Sequence, residues 1–156
     1  MADIKNVAII GAGQMGCGIA HVFALAGYRV LLNDINEAQL SAGLATIEKN
    51  LARQVASEKI TQSACDAALA MISTHSELAA LAEADLVIEA ASEEENIKLQ
   101  ILEAVSALVS DDTLLASNTS SISITRLAAQ TRHPENFIGM HFMNCLLYTS
   151  PSPRDA

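Results

Sequence analysis

Apolar positions along this chain follow two alternating rhythms. Short continuous apolar runs, the length of buried strands, occur at residues 7–10, 28–34, 71–74, 86–89, 114–117 and 137–142. Between them the apolar residues fall at helical spacing: Met15, Ile19, Val22, Phe23 and Ala26; Leu40, Leu44, Ile47 and Leu51; then Ile97, Ile101, Val105 and Leu108 in a helix from Glu94. Shorter helices are predicted over 59–70, opened by Thr61, over 77–83, and around Ile124, Leu127 and Ala128. Gly27 is placed to stop the first helix and Asn36 to cap the second, Asp111-Asp112 makes a turn, and Pro134 breaks the chain before the last strand. Strands alternating with helices predict βαβ units and an α/β fold with a mostly parallel sheet. In such sheets ligands sit at the carboxyl ends of the strands. That rule gathers residues 11–16, Asp34, residues 89–93, residues 118–121 and His141 on one rim.

The first strand runs straight into Gly11-Ala12-Gly13-Gln14-Met15-Gly16, a G-x-G-x-x-G turn with a strand before it and a helix after it. In that setting the first glycine makes the tight turn, the second lets the backbone approach a pyrophosphate, and the third packs helix on strand. The helix N-terminus adds N–H groups and partial positive charge for the phosphates. Asp34 ends the second strand near the roughly 20-residue spacing at which a carboxylate holds the adenosine ribose. An acid there accepts from the 2′-hydroxyl and repels a 2′-phosphate, and no arginine follows until Arg53, so NAD is favoured over NADP. The bland alternative is an ordinary strand–turn–helix with a surface aspartate.

Composition narrows the class. The chain has 156 residues and 51% hydrophobic content, enough for one domain with a core, yet only 3% are aromatic, so aliphatics and alanines must do the packing. A formal net charge of −9 argues against nucleic acid or an anionic membrane as partner. Cys17, Cys65 and Cys145 have neither disulfide nor metal-ligand spacing, and no metal site is expected. There is no room for a signal peptide before the first strand, nor any run of about 18 apolar residues for a membrane span. A cytoplasmic, reducing environment is expected. Cys17 sits where a thiolate could be stabilised, although a small packing residue is the simpler reading; His21, His75 and His133 have no partner pattern.

Three stretches together, the glycine turn at 11–16, Ala116-Ser117-Asn118-Thr119-Ser120-Ser121-Ile122-Ser123-Ile124, and Phe137-Ile138-Gly139-Met140-His141-Phe142-Met143-Asn144, resemble the 3-hydroxyacyl-CoA dehydrogenase family, most nearly its bacterial 3-hydroxybutyryl-CoA members. The resemblance runs from about Ile4 to Asn144 and implies a Rossmann-type doubly wound sheet binding NAD, with an acyl-CoA as substrate. It makes His141 the base that takes the 3-hydroxyl proton as hydride leaves, a role suited to imidazole, and Ser120 the donor to the substrate 3-oxygen. Cofactor contacts fall on Gly11, Gly13, Gln14, Met15, Gly16, Asp34, Glu93, Lys98 and Asn118, and the CoA moiety on residues 50–59. Read without the family, residues 117–123 are a loop of capping hydroxyls, and Glu93 and Lys98 a solvated helix start.

The family continues beyond Asn144 with a proline-rich turn, a glutamate that orients the histidine, and a helical domain that forms a homodimer. In this chain the glutamate's position is Pro153, and the helical domain is missing. Residues 145–156 back-translate to a sequencing-library transposon-end adapter. The expected division is therefore 1–144 as a truncated dinucleotide domain and 145–156 as a non-native tail. Two rival functions share the fold: a dehydrogenase of a free β-hydroxy acid, and a non-catalytic dinucleotide-binding module.

Overall fold

A computed structural model describes residues 3–91, 94–118 and 124–140. Strands β1 (Asn6–Ile10), β2 (Arg29–Asn33), β3 (Ile72–His75), β4 (Leu86–Glu89), β5 (Leu114–Asn118) and β6 (Phe137–Met140) form one sheet in the order β3-β2-β1-β4-β5-β6. Every pairing between them is parallel, as the alternating pattern predicts. The chain winds outward from β1 to β3, then returns to pair β4 beside β1 and winds the other way. The order therefore reverses between β1 and β4, where doubly wound sheets open a ligand crevice.

Helices α1 (Gln14–Leu25), α2 (Glu37–Ala56), α3 (Gln62–Ala70), α4 (Glu95–Leu108) and α5 (Ile124–Ala128) connect the strands, with 3₁₀ turns at Leu78–Leu81 and Pro134–Asn136. Central strands are apolar along most of their length because helices cover both faces. Val7, Ile9, Val30, Leu32, Leu86 and Ile88 share one core with residues of α1, α2 and α3. Their neighbours Ala8, Ile10, Val87 and Leu115 pack with Leu81, Val105 and Val109 on the other side. The period of two along each strand thus sorts side chains into two cores.

Local signals act as read. The Asn36 side chain accepts from the Gln39 N–H at 3.1 Å, and the Thr61 hydroxyl accepts from the Ala64 N–H at 3.0 Å, each closing a helix start. Gly27, at φ +97°, ends α1 in a Schellman motif: the Tyr28 N–H reaches the Phe23 carbonyl, and the two rings meet edge to face at 5.4 Å.

Some expectations need correction. The strand expected over 71–74 sits one residue later, the helix expected over 59–70 starts only at Gln62 because Thr61 caps it, and that expected over 77–83 is the short turn Leu78–Leu81. Helix α4 buries Lys98, Leu102, Val105 and Ser106, whereas Ile97 and Leu108 of the predicted face are each 39% exposed. The helix is rotated because a lysine is drawn inward by a buried acid. His21, on α1, is buried, with Nε2 2.8 Å from Gln54 Oε1 of α2 and Nδ1 lacking any partner among the described residues.

Burial holds the His21 pKa below its ordinary 6.5, against a smaller upward pull from Gln54. The unfolded chain therefore takes up a proton that the folded chain refuses. The His21 contribution is fully present above pH 6.5 and diminishes as the pH falls through and below that value. Urea midpoints at neutral pH and near pH 5 should differ more for the parent than for His21→Gln; equal differences would contradict this account.

Candidate functional site

The three glycines meet three different constraints. Gly11 adopts φ +108°, and a Cβ there would stand 2.7 Å from the Ala90 carbonyl oxygen and the Ala91 Cα. A Cβ on Gly16 would overlap the Gly11 carbonyl oxygen, so its absence lets α1 rest on the turn. Above Gly13 there is room: the nearest atom to a Cβ would be Gln39 Nε2 at 4.0 Å. Gly13 is also the N-cap of α1, supplies no side-chain cap, and precedes a first turn without acidic residues. The positive end of the helix dipole is left for an anion.

Asp34 follows β2 and is tied to this turn. Its Oδ2 accepts from the Ala12 N–H at 3.0 Å and its Oδ1 from the Asn36 N–H at 2.9 Å. Each oxygen keeps acceptor capacity for a second donor, such as a ribose hydroxyl. Ile35, beside it, is 88% exposed and adds apolar surface to the rim. From α2, Gln39 Nε2 donates to the Ala12 carbonyl at 3.1 Å. Helix α2 comes this close because a Cβ on Gly43 would lie 2.7 Å from Cys17 Sγ and 3.0 Å from the Ala12 oxygen. Between α1 and α2 lies a cleft of about 270 Å³, lined by Gly13, Gln14, Cys17, Gln39, Gly43 and Thr46. Larger hollows of about 370 and 490 Å³ open near Ile4, at the amino ends of the strands and away from the rim.

Burial, with a smaller contribution from the Asp34 carboxylate, pushes the Cys17 thiol up to about 11. Its Sγ donates to the Ala12 oxygen at 3.2 Å. Cys17 is a packing residue held as a thiol, and not a stabilised thiolate.

At the other side of the crevice lies a buried charged cluster that pattern reading missed. Glu89 closes β4 and is fully buried. Its Oε1 accepts from Lys98 Nζ at 2.7 Å and from Ser117 Oγ at 2.6 Å, and its Oε2 from the Ala91 N–H at 2.8 Å. Lys98 Nζ also donates to the Asn118 carbonyl at 3.2 Å. The solvated-helix reading of Lys98 is therefore wrong: it lies inside the protein and links the carboxyl ends of β4 and β5. The available signal was an acid ending a strand that is otherwise wholly apolar. Asn118 is in register with Met140 of β6, so β6 ends on the same rim. Glu93, Ser120 and His141 lie outside the described residues, whereas Gly11, Gly13, Gln14, Met15, Gly16, Asp34, Lys98 and Asn118 all lie at or beneath the carboxyl ends of the strands.

A parallel doubly wound sheet, an uncapped helix behind a three-glycine turn, and an acid at the end of the second strand define a dinucleotide-binding domain of the Rossmann type. Residues 6–148 match the family model described as 3-hydroxyacyl-CoA dehydrogenase, NAD binding domain. Over 143 residues the chain is 54% identical to a 3-hydroxybutyryl-CoA dehydrogenase of Bradyrhizobium diazoefficiens, covering 92% of this chain and 49% of that protein. The crystal structure of an (S)-3-hydroxybutyryl-CoA dehydrogenase from Ralstonia eutropha superposes with a TM-score of 0.89 at 44% identity, covering 91% of this chain and 50% of that one. A diketoreductase that acts on dicarbonyl compounds is 30% identical with a TM-score of 0.86, covering 94% and 53%. The chain belongs to the 3-hydroxyacyl-CoA dehydrogenase family, as its NAD-binding domain. It spans about half the length of the 3-hydroxybutyryl-CoA relative. Among the described residues no helix is long and apolar enough to cross a membrane.

Proposed function

We propose that this chain is the dinucleotide half of an enzyme that oxidises 3-hydroxyacyl-CoA, of short chain length as in 3-hydroxybutyryl-CoA, to 3-oxoacyl-CoA. The observation that carries this is the open space over Gly13, bordered by Asp34 bonded into the same turn, in a chain of this family. The cradle fits a pyrophosphate flanked by a ribose. NAD, when bound, supplies the acceptor for the hydride leaving C3 of the substrate. His141 takes the 3-hydroxyl proton, Ser120 donates to the 3-oxygen, and Asn118 holds the nicotinamide end of the crevice. Gly11, Gly13, Gln14, Met15 and Gly16 hold the phosphates, Asp34 the adenosine ribose, and Glu93 the dinucleotide, with Lys98 supporting it from beneath. A carboxylate from the remaining half would orient His141, as the acid of a triad orients its histidine. That half would also close a homodimer. Residues 1–144 constitute the domain and 145–156 a non-native tail, on the strength of the back-translation alone. A cytoplasmic setting is in keeping with cysteines that lack disulfide spacing along the sequence.

A second reading, a reductase of substrates without CoA, draws on the diketoreductase likeness. The test is NADH oxidation by the extended protein with acetoacetyl-CoA and with free acetoacetate. We expect turnover on the thioester and little on the free acid, and a loss of about 10²- to 10⁴-fold in kcat for His141→Ala. Equal use of the free acid would favour the second reading. Unchanged turnover in His141→Ala would remove His141 from the chemistry.

A further inference from the structure

We propose that Gln39 is a positioning residue for the dinucleotide, acting through the peptide that joins Ala12 to Gly13. This rests on the dinucleotide reading above. The turn contains two successive peptide units flanking Ala12, and each is held by a different residue. The Ala12 N–H belongs to the first and is fixed by Asp34 Oδ2 at 3.0 Å. The Ala12 carbonyl belongs to the second and accepts from Gln39 Nε2 at 3.1 Å. A trans peptide is planar, with N–H and C=O on opposite sides. Holding the Ala12 oxygen toward α2 therefore turns the Gly13 N–H the other way.

Gln39 is itself set by the β2–α2 junction. Its backbone N–H is taken by the Asn36 side-chain oxygen, and the Asn36 backbone N–H is taken by Asp34 Oδ1. Asp34, Asn36 and Gln39 thus form one brace, linking the ribose-binding acid to the turn that faces the phosphates. Only a donor suits position 39, because its partner is a carbonyl. Among the described residues that oxygen also accepts from Cys17 Sγ at 3.2 Å, a weak donor. Gln39 is exposed, so substituting it leaves the core alone.

The test is a fluorescence titration of NADH into the chain and its Gln39→Met, Gln39→Glu and Gln39→Lys variants, with competition by ADP-ribose and by adenosine. Gln39→Met should weaken NADH and ADP-ribose alike by about two- to ten-fold, the range of one lost hydrogen bond. Adenosine, which lacks phosphates, should compete equally well, and the melting midpoint without ligand should stay close to the parent's. Gln39→Glu, which sets an acceptor against an acceptor, should be the weakest binder, and Gln39→Lys, a donor again, should recover affinity over Gln39→Met. The proposal is overturned if Gln39→Met binds ADP-ribose as the parent does, or loses adenosine in proportion. A parent chain that binds no NADH overturns the dinucleotide reading, and this proposal with it.

Discussion

Gly16→Ala is expected to destabilise the domain and abolish dinucleotide binding, although helix propensity alone predicts the opposite. Alanine is favoured over glycine inside a helix by about 1 kcal/mol, and Gly16 lies within α1. The new Cβ would overlap the Gly11 carbonyl oxygen, which is backbone and has no rotamer to move into. Overpacking of this kind costs about 1–3 kcal/mol, and occasionally more, so the steric term wins. Relief requires α1 to lift from the turn, which also misplaces Gly13. The companion variant Gly13→Ala separates the two effects. Its Cβ would meet nothing nearer than Gln39 Nε2 at 4.0 Å, and its φ of −78° suits any residue. It should keep its stability to within about 1 kcal/mol, the scale of an N-cap change. It should nevertheless lose NADH affinity, because the methyl occupies the phosphate space. Urea denaturation and NADH titration of both variants decide the matter. If Gly16→Ala is as stable as the parent, or Gly13→Ala binds normally, the assigned roles of these glycines are wrong.

Lys98→Met is expected to destabilise the fold by about 3–5 kcal/mol, the cost of breaking a buried ion pair from one side. The methionine fills similar volume, but Glu89 is left as a buried carboxylate with Ser117 Oγ and the Ala91 N–H as its donors among the described residues. Replacing both partners is a different experiment. Lys98→Met with Glu89→Gln removes both charges, and buried pairs exchanged for neutral groups are often close to neutral in stability. The double variant should recover most of the loss, so the coupling energy should exceed the roughly 0.5–3 kcal/mol usual for contacting residues. Denaturation of the two single variants and the double one measures it. Additive losses would mean that the pair is not the unit described. The Asn118 carbonyl also loses its Lys98 donor in the double variant, so cofactor affinity should recover less than stability.

Most of the architecture was legible because it follows from periodicity. Continuous apolar runs became strands of the sheet, Asn36 and Thr61 became caps, and Gly27 ended α1. The glycine turn and Asp34 were legible for a different reason: their chemistry needs fixed spacing along the chain. What escaped depends on side chains meeting across elements. Pattern reading treats a lysine at the start of a helix as solvated, so it missed that Glu89 draws Lys98 inward, and it therefore placed the buried face of α4 one position away. Gln39 and Gly43 carry no signature of their own. They matter only because α2 lies against the turn, a fact of tertiary packing. Glu93, Ser120 and His141 remain assignments by resemblance.

This rim binds NAD, and the carboxylate of Asp34 is expected to set it against NADP. Parallel fluorescence titrations of NADH and NADPH into the chain measure that preference. NADH should bind saturably, with NADPH weaker by about an order of magnitude or more because its 2′-phosphate would meet Asp34. Equal affinities, preference for NADPH, or binding of neither would contradict it.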